Sequence, residues 1–596
     1  MSLTLALNTA LSGLRTTQGA LSAISNNVAN ANTDGYTRKV AQASSRTLAG
    51  VGAGVELSAV VRTVDSRVQA DAREASTKLQ TLEVKEMFLT SVQQLFGTPG
   101  DQKTVSHKIS NLAEAIDALG ATPESATVRN QTIEAALNLA DQLGDMASSI
   151  QDLRRDADRQ VTSSVQTINN QLERIAELNA KIKQNSAQSI PTGDLEDERD
   201  RALELLSAEM EVSSFTRSDG TLSVYTTGGV LLADSTAATL SHTAVTTMSP
   251  NMTLGGGIDG INVNGTDITA SIRGGRIAGV VELRDSTLPD MQAELDRLSE
   301  QLRNQLNLIH NQGTGLPPAD SLTGSRAFAD PTADSVTLTS AVRIAVLDGE
   351  GLMVDSHDLP AGTYTVDQVR DAINANLGGS ATATTAAAGP LGISADTAPN
   401  GIAIVDLGDQ TVTDGTNSIS GFSNYFGLND LFTTPGNVQG DPTTGLAQLI
   451  QVRGDLAADP SRLSRGQLSD AAAAPAAGEP GVAFSDNRVA MALGSKFDET
   501  VSFGAAGGLA GTSTTLSGYG AEIVSNAARI SSNNSANYDY QLSLHQQLSQ
   551  QHKSLSGVNI DEEMANLVVF QNAYAASARV ITTAQAMFDA LSNIIR

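Results

Sequence analysis

The sequence has no cysteine and no tryptophan, and aromatic residues make up only 3% of its 596 positions. Without thiols the chain has no disulfides, no thiol nucleophile and no thiolate metal site. With so few rings there are no large aromatic cores, so burial falls to Leu, Ile, Val and Ala. Basic residues are scarce as well: 38 Lys and Arg against 65 Asp and Glu give a formal net charge of −27. That balance argues against nucleic acid as a partner, because phosphate contacts need clustered cations. It argues equally against docking on anionic lipid. No run approaches the roughly 18 apolar residues of a membrane span, so membrane insertion is not expected. The opening "MSLTLALNTALSGLRTTQGA" lacks a basic n-region and a convincing apolar core, which speaks against a Sec-type signal. What remains is an acidic chain long enough for about three or four domains.

Catalytic constellations are missing too. The six histidines (107, 242, 310, 357, 545, 552) are scattered, with no HExxH. His545 and His552 share a helix face, which reads more simply as a packed or solvated pair than as a metal site. "GGGIDG" (255–260) lacks the lysine and helix start of a phosphate loop and reads as a turn. "DLEDERDRALELL" (194–206) is rich in carboxylates, but Arg199 and Arg201 make a self-paired helix face the simpler reading. The expectation is a protein that is not an enzyme and holds no cofactor or metal.

Helical patterns occupy the ends of the chain and strand patterns its middle. Leu3, Leu7, Ala10, Leu14, Thr17, Leu21, Ile24 and Val28 step by four and three, a heptad seam. Ile560, Leu567, Tyr574, Ile581, Phe588 and Ile595 recur every seven residues, with Met564, Val568, Ala578 and Leu591 widening the stripe. Such stripes also suit an ordinary globular core. Local charge separates the two readings. Arg15 is the only charged side chain from Met1 to Thr33, and Arg579 and Asp589 are the only ones from Met564 to Ile595. Faces of Ser, Thr, Asn, Gln, Gly and Ala allow close approach without the several kcal/mol that desolvating an ion costs. The pattern suits a helix pair enclosed by copies of itself or of relatives.

Between the ends, Val105, Ile109, Leu112, Ile116 and Leu119 make one amphipathic stripe. Val161, Val165, Ile168, Leu172, Ile175, Asn179 and Ile182 make another, with Asn179 as a register-setting polar residue. Thr122 is the expected N-cap of the second helix, with Pro123 at its first position. Met291, Leu295, Leu298, Leu302, Leu306 and Ile309 form a third stripe, ending at "NQGTG". "TLSVYTTGGVLL" (221–232) and "INVNGTDI" (261–268) read as hairpins, the second with an Asn264-Gly265 turn. From about 316 to 449 the composition shifts to Gly, Thr, Ala and Asp, with one short helix in "TVDQVRDAINANL"; this reads as an inserted domain. "AAAAPAAGEPG" (471–481) reads as a flexible surface connector.

The fold class expected is multidomain α+β: terminal helices paired as a coiled coil, a long helical bundle with β-hairpins, and an inserted β-rich outer domain. The expected divisions are 1–40 (terminal helix and turn), 41–315 (bundle, first part), 316–449 (insertion), 450–555 (second part) and 556–596 (terminal helix).

One stretch ties these parts together. "ANANTDGYTRK" (29–39) stops the first helix; Gly35 supplies a positive φ, and Asn30 or Asn32 can satisfy the last helical carbonyls. In context, "SNNVANANTDGYTRK", with Asn30, Thr33, Gly35 and Tyr36, resembles the N-terminal motif of flagellar rod, hook and first hook-associated proteins. The closing "GVNIDEEMANLVVFQNAYAASARVITTAQAMFDALSNIIR" resembles the C-terminal segment of the same axial proteins. "GGRIAGVVELRDSTLPDMQAELDRL", "NYFGLNDLF" and "VRGDLAADPSRLS" are similar to the hook-associated protein 1 (FlgK) family. The resemblance implies a secreted structural subunit of the extracellular flagellum, exported through the type III channel and assembled as a ring at the hook–filament junction. Implied partners are further copies of the chain, the hook protein, the third hook-associated protein, and an export chaperone on about residues 540–596. Two other readings share these ends: a hook or distal-rod subunit, and a secreted enzyme carried on axial termini. Leu21→Asp puts an unpaired charge into the seam. It is expected to block incorporation into flagella without changing the melting of the central domains, and normal incorporation would refute a buried seam.

Overall fold

The computed structural model describes residues 3–48 and 51–595. A helix Leu3–Ala29 leads through the turn into a hairpin of Lys39–Leu48 and Val51–Arg62. That hairpin lies back along the first helix: Ser12 Oγ accepts from the Val55 N–H at 3.1 Å, and Leu57 covers Gly19. The N-terminal unit therefore continues past the break expected at residue 40, to Arg62. Asp65 then caps helix Ser66–Phe96 by accepting from the Arg67 and Val68 N–H groups.

Helix Val105–Ala121 buries Val105, Ile109, Leu112, Ile116 and Leu119 against helix Ala126–Ala187, which is 62 residues long. Thr122 does not cap that second helix. Its backbone (φ −141°, ψ 67°) closes the preceding helix on the Ala118 carbonyl, and Ser125 takes the cap. Pro123 ends the preceding helix at this point, because the residue before a proline is driven out of the helical region, and the second helix starts three residues later at Ala126. Asn179 also differs from its expected role. Arg199 of helix Gly193–Glu209 donates to its Oδ1 at 3.4 Å, but the shorter bonds of Asn179 dock a sheet. Its Oδ1 accepts from the Leu222 N–H at 2.8 Å, and its Nδ2 donates to the Leu222 and Asp234 carbonyls at 2.7 and 2.6 Å. The docked sheet contains the expected hairpin, Leu222–Thr226 with Leu231–Ala233, and Val212–Thr216 pairs on its other side. The Asn264-Gly265 turn joins Asn262–Val263 to Thr266–Asp267, both turn residues having positive φ as a two-residue hairpin of this type needs.

The third stripe lies on helix Leu288–His310, which follows Arg276–Glu282 through a π-turn, Leu283–Thr287. At that turn the fully buried Arg284 reaches Asp158 at 2.7 Å, and His242 Nε2 lies 3.1 Å from the same carboxylate. Burial alone would raise Asp158, but the donors around it hold it below the usual carboxylate range.

Antiparallel sheets build the insertion around a core running from Ala319 to Leu428, with the expected helix at Val366–Leu377 closed by a Thr365–Gln368 capping box. Leu431, Phe432 and Ala447 belong instead to the bundle core, so the insertion ends some twenty residues before 449. The physical cause is polar: Asn307 takes the Leu431 and Phe432 N–H groups, and Asp296 takes those of Gly445 and Ala447. The 471–481 connector is on the surface but tied down. Met353 exchanges backbone hydrogen bonds with Gly478 and Glu479, and buried Arg343 donates to the Ser469 and Ala471 carbonyls. Two long helices, Leu516–Ser556 and Ile560–Ile595, complete the chain.

Asn179→Ala removes the partners of three backbone groups at a buried contact. Chemical denaturation should read a loss of about 3 kcal/mol in the bundle transition, at roughly 1 kcal/mol or more per orphaned group. A loss below about 0.5 kcal/mol would show that the sheet docks without it.

Candidate assembly interface

The first and last helices pair antiparallel. Leu3 and Leu7 lie near Ala584 and Phe588 around a space of about 400 Å³, Gly13 faces Ser577, and Asn27 faces Glu563. On the first helix Ile24 is buried, and Leu3, Leu7, Leu14, Leu21 and Val28 are half-buried. The last helix is turned differently from what its large residues suggest. Its inward stripe is Glu563, Phe570, Ser577 and Ala584, seven residues apart. A Cβ on Gly13 would sit 3.4 Å from Ser577 Oγ, so small residues set the spacing. Of the expected seam, Leu567 and Ile581 are half-buried, whereas Ile560, Met564, Tyr574, Phe588 and Leu591 are exposed. Phe588 is 64% exposed and Leu591 59%, far more than an isolated folded helix pair needs to leave bare. The side chain of Ile595 lies outside the described residues.

The turn forms as its residues dictate. Asn30 Nδ2 donates to the Asn26 carbonyl at 3.0 Å, beside the bond that carbonyl already receives from the Asn30 N–H, and its Oδ1 accepts from the Thr33 hydroxyl at 3.2 Å. Gly35 has φ +78°, a left-handed conformation that glycine adopts without steric cost. The Tyr36 hydroxyl donates to Asn27 Oδ1 at 3.0 Å, and Lys39 Nζ stands 3.6 Å over the Tyr36 ring.

At the foot of the pair, Asn27 is fully buried and uses every hydrogen-bonding position it has. Oδ1 accepts from the Lys39 N–H at 3.0 Å as well as from Tyr36; Nδ2 donates to the Lys39 carbonyl and to Glu563 Oε2, both at 2.9 Å. Successive strand side chains point to opposite faces, and residues 37–39 use both. Arg38 turns to the last helix, pairing with Glu563 at 2.8 Å and Glu562 at 2.9 Å, while its N–H donates to the Ser556 carbonyl at 2.8 Å. Thr37 and Lys39 turn to helix Gly193–Glu209. There Asp197 accepts from the Thr37 hydroxyl at 2.6 Å, Lys39 Nζ at 3.0 Å and Arg62 at 2.9 Å. Burial would lower Lys39 and Arg62, but the facing carboxylates outweigh it and hold both above their ordinary values.

The self-paired reading of 194–206 therefore gives way. Glu196, Asp197 and Asp200 pair across to Arg62, and Arg199 turns inward to donate to the Gly220 carbonyl at 2.7 Å. Sequence reasoning missed Asn27, Lys39, Asp197 and Glu563. Asn27, buried between the seam residues Ile24 and Val28, was the one available signal.

Comparison with known proteins gives a consistent result. The family profile "Flagellar hook-associated protein FlgK helical domain" matches residues 89–328. "Flagella basal body rod protein" matches 7–37, and "Flagellar basal body rod FlgEFG protein C-terminal" matches 549–594. The chain is 25% identical to flagellar hook-associated protein 1 of Escherichia coli (strain K12), covering 99% of both chains. It is likewise 25% identical, over 99% of both, to that of Salmonella typhimurium. The hook-associated protein 1 of Bacillus subtilis is 23% identical over 36% of this chain and 45% of its own. The solved structure of the flagellar hook junction protein FlgK from Burkholderia pseudomallei superposes with TM-score 0.48 at 18% identity, covering 83% of this chain and 100% of that one.

Asn27→Asp replaces the donor facing Glu563 Oε2 with a carboxylate oxygen. Hydrogen exchange over 27–39 and 556–563 should quicken more than tenfold while 105–187 is unchanged. Equal protection in the variant would show that the foot is held by its ion pairs alone.

Proposed function

We propose that the chain, a member of the flagellar hook-associated protein 1 (FlgK) family and a structural subunit of the hook–filament junction, acts there as a ring of identical copies whose terminal helix pairs enclose one another. The observation that supports this reading is the apolar surface left bare along the last helix, where Ile560, Met564, Tyr574, Phe588 and Leu591 are exposed and Arg579 and Asp589 are the only charges from Met564 to Ile595. Large apolar residues on such a face gain about 1.5–3 kcal/mol each when fully covered, and neighbouring copies supply the cover. The chain reaches the hook tip unfolded through the type III channel, with a chaperone on about residues 540–596. At the tip it seats on the hook protein and receives the third hook-associated protein. The hydrogen-bonded foot forms within each molecule, and the halves beyond it order on docking.

A hook or distal-rod subunit would share the two end matches, but the helical-domain match at 89–328 favours the junction. Purified protein should form no long tubes. Cells lacking the gene should carry hooks without filaments and shed filament protein into the medium. Complementation with Phe588→Asp should give a soluble protein with unchanged melting that restores few or no filaments. Normal filament number with that variant would refute the role given to this face.

A further inference from the structure

Helix Leu288–His310 carries acidic side chains inside the protein. Two of them, Glu294 and Asp296, are 1% and 3% exposed. Asp296 is fully matched, accepting from Gln292 and from the Gly445 and Ala447 N–H groups at 2.7–2.9 Å. Glu294 is not. Its Oε1 accepts from Asn526 Nδ2 at 2.7 Å and the Gly508 N–H at 3.0 Å, but its Oε2 is buried without any partner among the described residues. An ionised carboxylate with one bare buried oxygen is destabilised, and a proton on that oxygen removes the charge while leaving Oε1 free to accept both bonds.

The position matters because Glu294 joins three elements: its own helix, the loop around Gly508, and the start of helix Leu516–Ser556 through Asn526. That last helix runs to Ser556, whose carbonyl receives the Arg38 N–H at the foot of the terminal pair. The groups around Glu294 do not cancel its charge. Asp290 lies one turn before it and Arg297 pairs with Glu300 on the same helix; Arg529 on the facing helix donates to Asn526, and Glu522 and the unpartnered Tyr519 hydroxyl stand on that helix too.

We propose that Glu294 is a proton-operated latch, fastening the start of helix Leu516–Ser556 to helix Leu288–His310 when neutral and loosening it when charged. Burial, aided by Asp290 and opposed by the bonds from Gly508 and Asn526, raises Glu294 from 4.5 to about 7. Since the closed state holds the proton more tightly than the open one, the latch is strongest below about pH 4.5, weakens through the interval up to about 7, and is constant above it.

Hydrogen exchange of the full-length protein between pH 5 and 8, corrected for intrinsic rates, tests this directly. Protection across 508–530 should fall by up to about tenfold per pH unit between 5 and 7 and then level off. Glu294→Gln should make that profile flat, and Glu294→Met, also permanently neutral, should do the same if the amide variant folds poorly. A wild-type profile without pH dependence, or the same dependence persisting in either folded variant, would overturn the latch.

Discussion

The structure depends on asparagine side chains that act as peptide groups. A carboxamide presents its oxygen and one N–H side by side, as the C=O and N–H of a single strand residue are presented, so a helix bearing it can hold a strand edge by the same pair of bonds that a neighbouring strand would make. Asn27 takes the N–H and carbonyl of Lys39, Asn169 those of Leu240, Asn179 those of Leu222, and Asn374 those of Ala383. Asn307 does the same for Phe432. A helix normally meets a sheet through apolar side chains on the sheet's face. Here helices also meet strand edges, where unpaired backbone groups would otherwise be buried without partners. Strands as short as two residues can then hold their places beside a helix of 62.

Charge is placed by the same logic. The body buries ions wherever several donors converge, as at Asp158 with Arg284 and at Asp197 with Thr37, Lys39 and Arg62. The terminal pair buries Glu563 at its foot and is nearly free of charge beyond it. Multiple hydrogen bonds fix an ion within one chain. A surface that carries almost no ions can be covered without their desolvation cost. The line between these two regimes runs through residues 36–39, where alternate side chains face the body and the last helix.

Elements with a strong period were legible in the sequence: the stripes 105–119, 161–182 and 291–309 lie on helices with their apolar sides buried, and the Asn264-Gly265 turn has the positive φ values its residues favour. What escaped depended on contacts distant in sequence. Nothing near Asn179 announces that Leu222 needs its amide, and nothing near Asp197 announces Lys39 and Arg62. The boundary at 449 was misplaced because Leu431–Leu449 has the loop-like composition of the insertion, while its partners, Asn307 and Asp296, lie more than a hundred residues earlier. The connector 471–481 looked free for a similar reason: its Ala, Pro and Gly residues have little to bind with except backbone, and backbone is what Met353 and Arg343 use.

The orientation of the last helix follows from competition between small and large residues for the inner face. Gly13 opposite Ser577, with Ala10, Ala20, Ala23 and Ala584 buried along the pair, lets the two helices approach closely. Many short contacts between backbones then compensate for the bulk of leucine and phenylalanine, since each pair of atoms at optimal separation adds about 0.1–0.2 kcal/mol. Had the heptad of large residues turned inward, the pair would be thicker and its outside would be Ser, Thr and Ala, a surface content in water. With Ser577 and Ala584 inside beside Phe570, Met564 stays exposed, and Phe588 and Leu591 stay exposed where the first helix begins at Leu3. The periodicity of seven is therefore divided between two surroundings: Leu567 and Ile581 turn partly toward the first helix, while Ile560, Tyr574 and Phe588 stay exposed.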